Sequence, residues 1–170
     1  MGKIFYADRS AYTTNVALKK ILFDHYNYDG EILRSKNGKP YVENGPHFSV
    51  SHTDKRLFIA FSDDNVGLDA EPLSREIDYT PIVKIFSMAE QLEIDSNEKF
   101  LKHWIVRESA VKYLGGSLLH DLKSLSFENN LLVYQGTPFP TPLHFLAFDG
   151  HVLCVCAKED FHSPTFIPIE

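Results

Sequence analysis

The sequence predicts an α+β fold in which helices pack on small antiparallel sheets. Three observations predict it. Stretches with helical spacing of apolar residues are followed by short β-branched and aromatic segments. Two tight-turn signals, Asn129-Asn130 and Asp149-Gly150, each join a pair of such segments into a hairpin. Hydrophobic residues make up 44% of the 170 and aromatics 13%, enough to fill a core rather than leave the chain disordered.

The elements follow in order. Ser10 to Phe23 reads as a first helix, with Val16, Leu18, Ile21 and Leu22 available for burial. Residues 24–46 are rich in turn formers, among them Gly30, Asn37-Gly38, Pro40 and Gly45-Pro46. His47–Ser51, Leu57–Phe61 and Val66–Ala70 read as three strands, the last two joined by a turn at Asp63-Asp64-Asn65. Beyond Pro72 the spacing predicts a helix over Pro81–Glu93 and a long one over Asn97–Leu114, with Asn97 as N-cap and Gly115 as the stop. The hairpins Ser124–Glu128/Leu131–Tyr134 and His144–Phe148/Val152–Ala157 complete the chain. Each half is therefore a helix followed by antiparallel strands, and the halves meet near residue 75.

Bulk properties narrow the function. Net charge is −6 with no evident basic face, which argues against a nucleic-acid binder. No apolar run approaches the length needed to span a bilayer, and the N-terminus lacks the apolar core of a signal peptide, so a cytoplasmic protein without a membrane role is expected. Cys154 and Cys156 stand one residue apart on a strand and cannot easily pair, so they read as core. The eight histidines show no metal-ligand spacing.

The chemistry concentrates in two places. In Val66-Gly67-Leu68-Asp69-Ala70-Glu71-Pro72, strand alternation puts Leu68 and Ala70 on one face and Asp69 and Glu71 on the other. Two carboxylates a few Å apart repel unless one is protonated or a cation bridges them. On the long helix, Glu108 falls within the arc of Phe100, Leu101, Trp104, Ile105, Val111 and Leu114, and Lys112 falls beside it. A charge on an apolar face is costly unless paired or metal-bound. Glu108 and Lys112 taken alone also fit an ordinary i,i+4 ion pair. All three carboxylates together suit a hard divalent ion, Mg²⁺ above all when phosphate completes its shell.

The ordered set of motifs resembles the 4′-phosphopantetheinyl transferases, specifically a short form of the larger, pseudo-dimeric Sfp-like class. Val66 to Glu71 is similar to the family's G-[IV]-D-x-E strand. Trp104 to Lys112 is similar to its W-x-x-K-E-[SA]-x-x-K helix, with Arg107 in place of the first lysine. Phe86 to Glu90 matches its intervening F-[FS]-x-x-E segment, Gly38-Lys39-Pro40 its G-K-P, and Phe48 to Thr53 its F-[NS]-[IV]-S-H-[ST]. The larger members carry a basic N-terminal extension; here the chain starts close to the Phe5-Tyr6 segment, with only Lys3 and Arg9 nearby.

The resemblance implies two similar lobes, residues 1–74 and 75–170, related by a pseudo-twofold, each with a helix on a small antiparallel sheet and with the active site between them. It implies Mg²⁺-dependent transfer of 4′-phosphopantetheine from coenzyme A to a serine hydroxyl of an apo acyl or peptidyl carrier protein, by a monomer. Asp69, Glu71 and Glu108 would hold the Mg²⁺, or Mn²⁺ in its place. Asp69, Glu108 and Lys112 would serve catalysis, with Glu108 as ligand in preference to base. Lys39, Ser51, His52 and Lys112 would bind coenzyme A. His52 taken alone also fits a strand-end histidine bonded to a loop. Glu90 divides evenly between a cleft residue and the acid of the capping box Ser87-Met88-Ala89-Glu90. The competing functions are another metal-dependent phosphoryl transferase or phosphodiesterase, and a relative that binds coenzyme A or a carrier without transfer.

Overall fold

The computed structural model describes residues 2–170, apart from the side chain of Leu119; Met1 lies outside it. Strand β1 (Lys3–Asp8) precedes helix α1 (Thr14–Tyr26). A small ribbon, β2 (Leu33–Arg34) and β3 (Pro40–Tyr41), leads to strands β4 (His47–His52), β5 (Arg56–Ser62) and β6 (Val66–Pro72). Helices α2 (Thr80–Val83), α3 (Met88–Glu93), α4 (Asn97–Leu114) and α5 (Leu118–Asp121) follow. The chain ends with β7 (Leu125–Glu128), β8 (Leu131–Tyr134), β9 (Thr137–Pro138), β10 (Leu143–Phe148), β11 (His151–Ala157) and β12 (Thr165–Pro168).

Two sheets form the centre. One has the order β12-β1-β5-β4 and the other β10-β11-β6. Alternation along the strands splits their side chains between three apolar layers. Ile4, Phe58 and Ala60 of the first sheet meet Leu68, Ala70, Leu153 and Val155 of the second. Phe5, Leu57, Ile59 and Phe61 turn outward to Leu18, Ile21 and Leu22 of α1. Cys154 and Cys156 turn outward to Ile105, Val106 and Ala110 of α4. The order is helix, sheet, sheet, helix, which is why β5 and β6 are buried on nearly every residue: both faces are covered.

The sheets join where β4 runs beside β6. The hydroxyls of Ser49 and Ser51 accept hydrogen bonds from the backbone N–H groups of Leu68 (2.9 Å) and Ala70 (3.1 Å). Side chains thus satisfy donors that would otherwise be buried without partners. The halves of the chain also exchange strands. β6 pairs with β11, and β12 returns to lie parallel to β1.

Several expected boundaries move. The first helix starts at Thr14, after the Thr13 cap, and exposes Val16 while burying Ala17. The Pro81–Glu93 segment is two short helices, because Ser87 opens a new one through a full capping box. Ser96, not Asn97, caps α4. β1 and β12 were not anticipated: one is six residues long, the other four, and each earns its place only through pairing across the chain. Both hairpin turns occur as expected, with positive φ at Asn129, Asn130, Asp149 and Gly150.

Candidate active site

Asp69 and Glu71 face α4 because Leu68 and Ala70 occupy the intersheet core. The helix approaches closely at Gly67. A Cβ there would lie 1.9 Å from the Ser109 carbonyl oxygen, so only glycine lets α4 lie this near to β6. The helix is buried on a broad face that includes His103, Val106, Arg107, Ala110 and Tyr113. This corrects the expected arc: Glu108 is not on the most buried stripe. It lies with Trp104 and Lys112, at i, i+4 and i+8, along a half-buried edge of the helix.

Lys112 Nζ donates to Asp69 Oδ1 at 2.7 Å, and Ser51 Oγ donates to the same oxygen at 2.9 Å. Asp69 Oδ2 is buried without a hydrogen-bond partner. Arg75 Nη1 pairs with Glu71 Oε1. Burial pushes the Glu71 carboxyl upward, with Arg75 opposing the shift. Glu108 moves further: burial, then the charge of Asp69, raises it to about 7 against the partial help of Lys112. Lys112 therefore bridges from the helix to the strand instead of serving Glu108 alone.

Two adjoining cavities flank this cluster. One of about 280 Å³ is lined by Ser51, His52, Asp69, Glu71, Glu108 and Lys112, among others. The other, of about 350 Å³, shares Glu108 and Lys112 and extends past Gly38 and Lys39 to Gly115 and Gly116. Lys39 Nζ donates to Asn65 Oδ1 (3.1 Å) and to the Val66 carbonyl (3.0 Å), and burial lowers it to about 8. His52 is exposed at the mouth of the smaller cavity. A larger cavity of about 1040 Å³ lies along another side of α4, near Leu101, Ile105 and Phe145, and contains none of these residues.

The cluster suits a hard cation. It has three carboxylates on one cleft, an orphaned buried oxygen on Asp69, and a Glu108 carboxyl raised by burial and by the charge of Asp69. Lys112 and Arg75 act as counter-ions. The three carboxylates do not all come within 4.8 Å of one another, so an ion held by all three would draw them together.

Glu90 is not in this cleft. It is fully buried, accepts hydrogen bonds from Ser87 N (3.2 Å) and Phe127 N (3.1 Å), and pairs with Arg107 Nη2 at 2.5 Å. His103 Nδ1 lies 3.0 Å from it. Burial alone would raise Glu90, but His103 and Arg107 outweigh it and hold the carboxyl at about 2. The capping-box reading is the right one, and Arg107 faces the core with Glu90 rather than the cleft. One cluster residue escaped sequence reasoning: Arg75 was legible only as an i,i+4 partner of Glu71 across Pro72. Ser51 was expected as a coenzyme A ligand; its hydroxyl is bonded to Asp69 and to the Ala70 N–H, a role that depends on the β4–β6 seam.

No family model matches the chain. Three curated proteins are similar to it. The 4′-phosphopantetheinyl transferase gsp of Aneurinibacillus migulanus is 31% identical over 122 residues, covering 66% of this chain and 51% of its own length. The 4′-phosphopantetheinyl transferase ffp of Bacillus subtilis is 25% identical over 178 residues, covering 92% of this chain and 79% of its own length. The 4′-phosphopantetheinyl transferase Sfp of Bacillus subtilis strain 168 is 28% identical over 178 residues, covering 91% and 78%. The chain thus spans about half of the first relative and about four fifths of the other two. Motif order, an α+β architecture of small sheets and these comparisons agree: the chain is similar to proteins named 4′-phosphopantetheinyl transferase.

Proposed function

We propose that the protein transfers 4′-phosphopantetheine from coenzyme A to a serine hydroxyl of an apo carrier protein, releasing adenosine 3′,5′-bisphosphate. The observation that carries this reading is the convergence of Asp69, Glu71, Glu108 and Lys112 on one cleft in a chain similar to three transferases of that name. In this reading Asp69, Glu71 and Glu108 hold Mg²⁺, with Mn²⁺ as a substitute. The ion would supply Lewis-acid stabilisation of charge on the diphosphate. Lys112 releases Asp69 in part and turns its ammonium toward the phosphates as a point charge. Ser51 holds Asp69 in place through the hydrogen bond at Oδ1. Lys39 and His52, at two ends of the joined cavities, grip the 3′-phosphoadenosine end. The serine of the carrier attacks the phosphorus that bears pantetheine, its proton leaves to water or to a carboxylate, and the bond to the adenylate phosphate breaks. A division into lobes at residues 74 and 75, related by a pseudo-twofold with the cleft between them, belongs to the same reading, as do a monomeric state and a cytoplasmic location. No helix among the described residues is long and apolar enough to cross a membrane.

The test is direct. The protein is incubated with coenzyme A, Mg²⁺ and apo fatty-acid, polyketide and peptide-synthetase carriers, and intact-mass spectrometry reads whether one phosphopantetheine is added. Addition that fails for every carrier while coenzyme A still binds would leave a binding protein without transfer. Asp69→Ala and Glu71→Ala should abolish addition in folded protein.

A further inference from the structure

We propose that His144, Asp160 and His162 form a site for a divalent transition-metal ion of the Zn²⁺ type, separate from the carboxylate cleft. One ligand atom from each lies within 4.8 Å of the other two. The histidines are 18 positions apart in sequence and come together only because the chain doubles back after β11. Nothing in their spacing announced them.

The state of His144 is the telling feature. The side chain is 3% exposed. Its Nε2 lies 3.2 Å from the carbonyl oxygen of Ala157. A carbonyl only accepts, so Nε2 carries the hydrogen and donates it. The neutral ring then has a bare lone pair on Nδ1, and that atom is buried with no hydrogen-bond partner. A buried acceptor without a donor is costly. The same arrangement, one ring nitrogen donating to a backbone carbonyl and the other left free, is how proteins orient a histidine for a metal. The His162 ring lies 4.9 Å from that of His144, centroid to centroid. Asp160 Oδ1 accepts from the His162 backbone N–H at 2.8 Å, which fixes the loop and leaves Oδ2 available.

Two imidazoles and one carboxylate suit a borderline ion with bonds of about 2.0–2.1 Å, whose ligands in tetrahedral geometry stand roughly 3.4 Å apart. Small rotations of exposed Asp160 and His162 would close the cluster to that spacing, and water would take the fourth position. The site has a mechanical consequence. His144 is on β10 of the three-stranded sheet, whereas Asp160 and His162 lie on the segment that carries the chain to β12 in the other sheet. An ion would fasten that crossover to β10.

The experiment uses metal-free full-length protein titrated with Co²⁺ as a visible probe and then with Zn²⁺. With Mg²⁺ in large excess to fill the carboxylate cleft, one Co²⁺ per chain is expected to show the intense absorption of a low-coordinate site, displaced by Zn²⁺ and not by more Mg²⁺. His162→Ala and Asp160→Ala should each weaken Zn²⁺ binding by roughly 100-fold or more and abolish the rise in Tm that Zn²⁺ gives the wild type. Both residues are exposed, so the variants should fold, and circular dichroism checks it. Absence of Co²⁺ absorption in the wild type would overturn the site. So would unchanged Zn²⁺ affinity in His162→Ala, which would mark binding by other surface histidines.

Discussion

Glu108 is the residue on which the cleft's chemistry turns. Without a cation, burial and Asp69 hold its carboxyl at about 7, against 4.5 for the ordinary group. The folded protein therefore keeps a proton that the unfolded chain releases near pH 4.5. That contribution to stability is complete below the unfolded value and is lost as pH rises through 7. The metal-free protein should lose stability between about pH 4.5 and 7, on the order of 2 kcal/mol, and Glu108→Gln should flatten that slope in urea titrations at each pH. Added Mg²⁺ should restore stability at pH 8 in the wild type only. In transfer assays, Glu108→Gln should raise the Mg²⁺ needed for half-activation by about 10-fold or more. If the residue served chiefly as base, the variant would instead turn over slowly at every Mg²⁺ concentration. Lys39→Ala and His52→Ala should mainly raise the KM for coenzyme A; a loss confined to kcat would contradict their assignment to the adenosine end.

At the scale of elements, α4 is held from two sides. On its core side Arg107, fully buried, reaches Glu90 and the Leu125 carbonyl and stacks 3.7 Å over the Phe86 ring. The pair ties α3 to α4 and β7. Removing one partner leaves a buried charge, so Glu90→Ala or Arg107→Ala should each cost about 3–5 kcal/mol. Because Glu90 is held at about 2, its contribution is present above the ordinary carboxylate value of 4.5 and is lost only as pH falls toward 2. Chemical denaturation reads the loss, and folded Arg107→Ala protein should keep most of its transfer rate, since the side chain faces away from the cleft. On the other side of α4, Gly67→Ala would drive a methyl into the Ser109 carbonyl. It should cost about 1–3 kcal/mol and lower transfer beyond that loss, because moving α4 separates Lys112 from Asp69.

At the scale of the whole molecule, two features make one body of two sheets. The first is the serine seam. Ser49→Ala should leave the buried Leu68 N–H unpaired and cost about 1–3 kcal/mol. Ser51→Ala should cost a similar amount and also loosen Asp69, so it alone of the two should weaken Mg²⁺ activation. The second is the return of the chain to β1. Ending it after Ala157 removes β12 and Phe161, which is fully buried against the intersheet core. That truncated protein should lose its cooperative thermal transition, and a sharp transition retained near the wild-type Tm would show that β12 is dispensable.

Local pattern carried much of this. Strand alternation by itself determined that Asp69 and Glu71 face away from Leu68 and Ala70, because side chains on a pleated strand have no other choice. Tight-turn residues determined both hairpins, and the motif order pointed to the cleft residues. Tertiary structure decided what sequence spacing cannot encode. Glu90 could serve a cap or a cleft until Arg107 and Phe127 were seen to enclose it. Glu108 lay on an apolar arc only while a single helix face was assumed to be buried; packing against two layers moved the buried face around the helix and left the Trp104–Glu108–Lys112 stripe along the cleft. β1, β12 and the His144–Asp160–His162 cluster depend on contacts between residues far apart in the chain. No local periodicity reports such contacts, because their free energy comes from pairing and burial that exist only once the sheets are assembled.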